Sequence, residues 1–347
     1  MLLFTLSNMS LAANLVLFAV LAGAVWVAGS RLAIYADEIA DRKRIGKALM
    51  GFVFLAAATE LPEMATTAAA SIAGNATLAL SNMFGGITMQ TAILVVADAM
   101  AVHAALTIYP RKTTPALEGA LLVLLLTLLL GISILGEREL IWNIGFGTVL
   151  LMVIYVLSIM LLRNHDEKNV WIPLEVPEEQ AVNLRRSCES FSLPNLYARF
   201  GLASLIILVC GAGLVFSSQA IADQTGLGSS FIGVSILAAA TSLPELSTTI
   251  SAARLGAYTM AISNIMGSNL IMLALLLPAD ILYRANPILM SIDPAARLTL
   301  IAGILVTAIY IIGLLVRSKK RFFGLGIDSL AVLAVYLCSL VVFYQIR

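Results

Sequence analysis

Two near-identical stretches place acids where an apolar chain rarely carries them. In "LAAATELPEMATT", residues 55–67, Glu60 and Glu63 flank a proline within a run of small apolar residues. A second copy, "LAAATSLPELSTT", occupies residues 237–249 and carries Glu245 beside Pro244. A charged side chain at the bilayer centre costs about 2.5–3.5 kcal/mol on insertion scales, and intramembrane acids mark ion pathways. Proline has no N–H and its ring clashes with the carbonyl four residues back. Pro62 thus deprives the Ala58 carbonyl of its helical donor, and Pro244 does the same to Ala240. In lipid, irregular backbone persists only where protein, water or an ion serves it. Thr59, Thr241 and Ser242 add hydroxyls at the same two breaks. Carbonyls, hydroxyls and carboxylates are the ligands of hard cations, and calcium takes about 6–8 of them at roughly 2.3–2.6 Å. Glu63 and Glu245, brought together from the two copies, repel one another unless a cation or protons lie between them. Competing occupants of one such site, presented alternately to two sides, amount to antiport.

The elements that must position these residues are membrane helices. Of 347 residues, 60% are hydrophobic and 12% charged, with a mean hydropathy of +0.98. Soluble domains carry about 25% charged residues, so the chain reads as an all-α integral membrane protein. About 20 apolar residues cross the hydrocarbon core as a helix. Ten segments qualify: 11–35, 45–73, 76–103, 115–135, 140–162, 200–222, 230–254, 257–282, 298–316 and 326–345. The N-terminal stretch reads as the first of these spans rather than a signal peptide, because it lacks a basic n-region and its apolar run is too long. A polar, proline-broken linker at 164–199 separates an N-terminal half, 1–163, from a C-terminal half, 200–347. With ten spans, 17 of the 21 Lys and Arg fall on one side. The positive-inside rule makes that side cytoplasmic and puts both termini outside. Cys188, Cys210 and Cys338 show no paired spacing, and buried thiols serve mostly as small hydrophobes.

The halves are related. Residues 51–90 align without a gap on 233–272, a constant offset of 182, with 18 of 40 positions identical. Pro62/Pro244, Glu63/Glu245, Asn82/Asn264 and Gly85/Gly267 are among them. Apolar helices that matched by chance would share Ala and Leu, not proline, acid and amide in register. Five spans per half means that the second copy enters the membrane from the opposite side. The expected fold is two inverted five-helix repeats, with helices 2 and 7 broken near the midplane, where such transporters bind substrate. Gly85 and Gly267 join Pro62 and Pro244 as helix-breaking positions in this reading.

"ATELPE" and "ATSLPE", each followed by "SNMFGG" or "SNIMGSN", resemble the paired alpha-repeat motifs of the calcium/cation antiporter superfamily, whose best-known members are the sodium/calcium exchangers. The likeness covers both repeats and the ten-helix layout. It implies that Glu63 and Glu245 are the main calcium ligands, with Thr59, Thr241, Ser242, Ser268 and backbone carbonyls completing calcium and sodium sites. It also implies that spans 1 and 6 slide against the core. Several positions depart from the pattern. Glu60 and Gly86 replace usual serines, and the usually Asn or Asp positions hold Gln90 and Met272. A thioether is a poor ligand for a hard cation, so the site loses an acid at 272 and gains one at 60. Glu60 either moves the missing charge across the pocket or faces a vestibule and binds nothing. Either way, sodium coupling does not simply carry over, and protons are an alternative counter-ion.

Asp98 and Asp280 match at the same offset and sit near span ends, which suggests a helix-end or gating role. Glu118 and Asp328 read as acids at helix starts, where they suit the dipole. The run "RSKKRFF" reads as a topology signal touching anionic lipid, not a nucleic-acid site. The expected partners are therefore inorganic cations and the lipid bilayer, in the plasma (inner) membrane, with a monomer sufficient for transport. No cofactor is expected beyond transported Ca2+ and its Na+ or H+ counter-ion. A carboxylate-lined cation channel is the competing class. An intramembrane enzyme would need a metal-binding motif such as DDxxD or HExxH, and the sequence contains neither.

Overall fold

The computed structural model describes residues 9–168, 191–225 and 240–346. Most of the expected linker, Cys188 and the first part of the span at 230–254 lie outside the described residues. Twelve helices are labelled here. They are α1 (Leu11–Lys43), α2 (Lys47–Thr59), α3 (Leu61–Ile72), α4 (Ala76–Ala101), α5 (Thr114–Leu135), α6 (Phe146–Lys168), α7 (Leu193–Gln224), α8 (Leu243–Arg254), α9 (Tyr258–Ala274), α10 (Leu276–Tyr283), α11 (Pro294–Val316) and α12 (Ile327–Ile346). Among the described residues seven helices are long and apolar enough to cross a membrane, with α9 and α10 taken as one. The number rises to eight when α2 and α3, bent by 51° at their junction, count as one span. The protein is thus an all-α, multi-pass membrane protein.

Burial ranks the helices. The most apolar windows of α4 and α9–α10 are 67% and 78% buried, against 17% for α1. The former therefore form the centre, and α1 faces lipid along much of its length. α1 and α7, at 33 and 32 residues, reach about 50 Å at 1.5 Å per residue. They exceed the ~30 Å hydrocarbon core and pack against each other along their length. At the basic end of α1, Arg44 adopts a left-handed conformation (φ 55°) and its N–H caps the carbonyls of Ala40 and Asp41. Lys47 then ties α2 back to α1, its Nζ 2.6 Å from carboxylate oxygens of both Asp37 and Asp41.

The expected helix at 140–162 begins later than the hydropathy indicates. Residues 139–145 form a β-hairpin, β1 (Glu139–Ile141) with β2 (Ile144–Gly145). Its two turn residues, Trp142 and Asn143, have φ of 52° and 63°, the left-handed pair that a two-residue hairpin needs. A second hairpin, β3 (Arg321–Phe322) with β4 (Leu325–Gly326), turns at Phe323 and Gly324 in the same way.

Each hairpin is held by an aspartate from the other half of the chain. Asp280 Oδ2 accepts from Gly145 N at 2.8 Å and from Thr148 Oγ1 at 2.7 Å, while Oδ1 accepts from Ile288 N at 2.7 Å. Asp98 Oδ2 accepts from Gly326 N at 2.7 Å and Oδ1 from Leu106 N at 2.8 Å. Both side chains are buried. The matched pair therefore anchors backbone at the helix ends, the helix-end role expected of it.

A buried N–H left without its acceptor costs about 1–3 kcal/mol. Asp98→Ala and Asp280→Ala should each destabilise by about 2–4 kcal/mol, read as an earlier unfolding transition in detergent. Asp280→Asn, which keeps one acceptor oxygen, should lose less than Asp280→Ala.

Candidate cation-binding site

The α2–α3 junction has three parts. Residues Met50–Leu55 of α2 form a π-helical stretch, a widening common at functional sites. Gly51 lies there against α9, where a Cβ would come within 2.5 Å of the Met260 carbonyl. The chain then bends at Glu60 (φ −75°, ψ −6°), and Pro62 enters the first turn of α3, where its missing N–H breaks no helical bond. In the second copy Ser242 occupies the corresponding position (φ −86°, ψ 5°), with Pro244 in the first turn of α8. The break expected at Pro62 is present; at Pro244 a turn at Ser242 opens α8, the chain before Ala240 lying outside the described residues, and Ala58 and Ala240 are buried beside the two turns.

Gly85 and Gly267 are a correction, because neither interrupts its helix: α4 and α9 run straight through them. A Cβ on Gly267 would collide with the backbone of Phe52, including its Cα at 2.6 Å. That glycine exists for close approach of α9 to the π stretch. A Cβ on Gly85 meets nothing within 4 Å.

The expected donors all lie inside the protein, and part of the set comes together. Thr59, Glu60, Glu63, Gln90, Thr241, Ser242, Glu245 and Ser268 are all buried. Glu63 is near enough to Glu245 and Glu60 to feel both charges, Thr59 lies alongside Glu245, and Ser268 lies alongside Glu60. Glu60 faces inward, not into a vestibule, and its Oε1 accepts from Gln90 Nε2 at 2.6 Å. Its Oε2 and both oxygens of Glu63 and Glu245 have no hydrogen-bond partner among the described residues. Nor does any lysine or arginine pair with them there, since the ion pairs lie at the helix ends. No three His, Cys, Asp or Glu side chains among the described residues converge as a metal cluster.

Several supporting residues were not anticipated. Thr66 Oγ1 donates to the Glu63 carbonyl at 3.0 Å, and Thr248 Oγ1 donates to the Glu245 carbonyl at 3.1 Å. Asn264 Nδ2 in turn holds Thr248 at 3.1 Å, and Asn82 Nδ2 lies 3.5 Å from Thr66. The identical Thr and Asn positions in the repeat carried that signal. Asn269 Nδ2 reaches Thr91 Oγ1 at 3.0 Å, joining α9 to α4. Nothing at the offset of 182 marks that contact. The Met272 side chain covers Gly86, where a Cβ would lie 3.0 Å from its sulfur. Glu118, expected at a helix start, is buried beyond the first turn of α5.

Both breaks are covered by glycines of the long outer helices. A Cβ on Gly211 of α7 would lie 2.6 Å from Pro62 Cγ, and one on Gly29 of α1 would strike Ser247 beside the Pro244 carbonyl. Gly29 and Gly211 are themselves 182 apart. Each outer helix thus lies on the break of the opposite copy.

An acceptor-rich, donor-poor centre in a multi-pass helical protein is suited to cations. This chain belongs to the sodium/calcium exchanger protein family, whose model matches residues 13–161 and 195–345. It is similar to the inner membrane protein YrbG of Escherichia coli (strain K12), 27% identical over 251 residues, covering 72% of this chain and 74% of that one. Its fold matches the sodium-calcium exchanger NCX_Mj soaked with 10 mM Na+ and zero Ca2+, with a TM-score of 0.70, 17% identity and coverage of 96% and 99%. The same exchanger soaked with 2.5 mM Na+ and 10 mM Sr2+ matches with a TM-score of 0.69 at 16% identity, again covering 96% and 99%.

Gly211→Ala forces a methyl against the proline ring and should destabilise by about 1–3 kcal/mol. Gly85→Ala, in open space mid-helix, should instead stabilise by about 0.5–1 kcal/mol. Unfolding midpoints in one detergent check both signs.

Proposed function

We propose that this cation antiporter exchanges Ca2+, or a related divalent cation, for H+ or Na+ by alternating access. In this reading ten spans form two inverted repeats of five in the inner membrane, with both termini extracytoplasmic. Glu63 and Glu245 are the main ligands, and Thr59, Thr241, Ser242, Ser268 and backbone carbonyls at the breaks complete the set. The observation that carries the reading is the five carboxylate oxygens, on Glu60, Glu63 and Glu245, buried without a donor. Buried charges need partners, and only mobile cations or protons are at hand.

Two observations favour H+ over Na+ as counter-ion. A divalent cation between Glu63 and Glu245 balances their two charges and leaves nearby Glu60 as one negative charge in a low-dielectric interior, which a single proton removes. Gln90 engages one oxygen of Glu60 and leaves the other open to carry that proton. Met272 sets a thioether over Gly86, where the family pattern provides polar groups, and sulfur is a weak sodium ligand. Sodium remains the second reading because the solved relative is a sodium-calcium exchanger.

Labelled calcium uptake into proteoliposomes tests this, driven first by a proton gradient and then by loaded sodium at matched pH. Proton-driven uptake is the expected result. Glu63→Gln and Glu245→Gln should each reduce it by about 100-fold or more, as expected for removing one charge from a buried ion pair. Glu60→Gln should weaken the proton dependence while leaving calcium binding. Sodium-driven uptake would instead assign sodium as counter-ion. Uptake with neither gradient would mean a channel, and silence in folded protein would overturn calcium as substrate.

A further inference from the structure

Away from the acidic centre, a groove of about 500 Å3 opens between α1 and α7. Its walls include Gly23, Val27, Leu202 and Ile206, and its lining also takes in Arg31 and Arg199. The volume falls within the range of ~300–1,000 Å3 typical of small-molecule sites. A Cβ on Gly23 would meet nothing within 4 Å, so the floor of the groove is open.

The two arginines sit at one end. Arg31 lies near the basic end of the first expected span, 11–35, a little over one turn before its last residue, and the span at 200–222 starts just after Arg199. Both are therefore placed where hydrocarbon gives way to headgroups, with the apolar part of the groove running inward. Arg31 is exposed and makes no ion pair among the described residues. Arg199 is engaged only by neutral groups there: its Nε donates to Asn195 Oδ1 at 3.0 Å, and its guanidinium stacks 4.2 Å from the Phe191 ring centroid. Two positive charges at the mouth of an apolar slot match a ligand with one anionic head and an apolar tail.

We propose that this groove binds an anionic glycerophospholipid, with an acyl chain along Gly23 and Val27 and the phosphate between Arg31 and Arg199. Guanidinium and phosphate pair in a bidentate fork, and basic pockets between membrane helices select anionic headgroups. A zwitterionic lipid fills the apolar slot equally well but gains less from the two charges. The bound lipid bridges α1 and α7, the two helices that cover the breaks, and holds them as a pair.

The test is binding, independent of transport. Full-length protein in a non-ionic detergent is titrated with phosphatidylglycerol or phosphatidylcholine of identical chains, and retained lipid is counted by native mass spectrometry. One phosphatidylglycerol should be held about 30-fold more tightly than phosphatidylcholine, given roughly fivefold per basic residue near the anionic headgroup. The preference should vanish in the Arg31→Ala/Arg199→Ala double variant and persist in Lys319→Ala/Lys320→Ala. Gly23→Trp, which fills the slot without touching either arginine, should abolish tight retention of both lipids. Equal retention of the two lipids by the unaltered protein would overturn the proposal. So would an undiminished preference in the double arginine variant, or displacement of the lipid by inorganic phosphate alone.

Discussion

Everything in this molecule is arranged around negative charge buried in a low-dielectric interior without a fixed positive partner. Glu63 and Glu245 have neither lysine, arginine nor hydrogen-bond donor at their carboxylates among the described residues. A permanent ion pair would satisfy them, but it would also block the exchange of cations that the proposed function assigns to them. The surrounding polar groups instead stiffen the backbone. Thr66 and Thr248 hold the carbonyls of the two glutamates, and Asn264 holds Thr248. The acids are positioned by bonds to their main chain, while the side-chain oxygens stay available.

The same requirement explains the tight packing at the breaks. An interrupted helix exposes carbonyls that lipid cannot serve, so protein must lie directly over it. Gly29 and Gly211 allow α1 and α7 to do this at van der Waals distance, each on the break of the opposite copy. Gly51 and Gly267 do the same for α2 against α9. Small residues are thus concentrated where main chain meets main chain, the usual solution for helices in membranes. Contacts of this kind are limited by shape rather than by strong polar bonds.

Much of the site was legible because polar residues stand out against an apolar background. Glu63, Glu245 and the two prolines are conspicuous for that reason, and the fixed offset joined them before any coordinates did. Other features lacked that contrast. The hairpin at 139–145 is as apolar as a helix, and its Trp-Asn turn lacks the glycine that marks most two-residue turns. Gly85 and Gly267 are identical in the repeat, yet one packs against main chain and the other faces open space. Sequence identity does not reveal which neighbour a glycine meets. The direction of Glu60 depended on the 51° bend and on Gln90, thirty positions away. The contact between Asn269 and Thr91 joins positions that the repeat does not pair, so no pattern announced it.

The reciprocal aspartates bear on how such a chain is made. Asp98 enters the membrane with the third helix, but one of its hydrogen-bond partners, Gly326, is synthesised 228 residues later. Until then a buried acid waits beside an unfinished neighbour, exposed to whatever water or lipid headgroup can reach it. The Gly145 hairpin must likewise wait 135 residues for Asp280. The first half therefore cannot complete its own folding on leaving the insertion machinery. Only a chain that extends past Gly326 can satisfy both aspartates, so the two ends close late in synthesis.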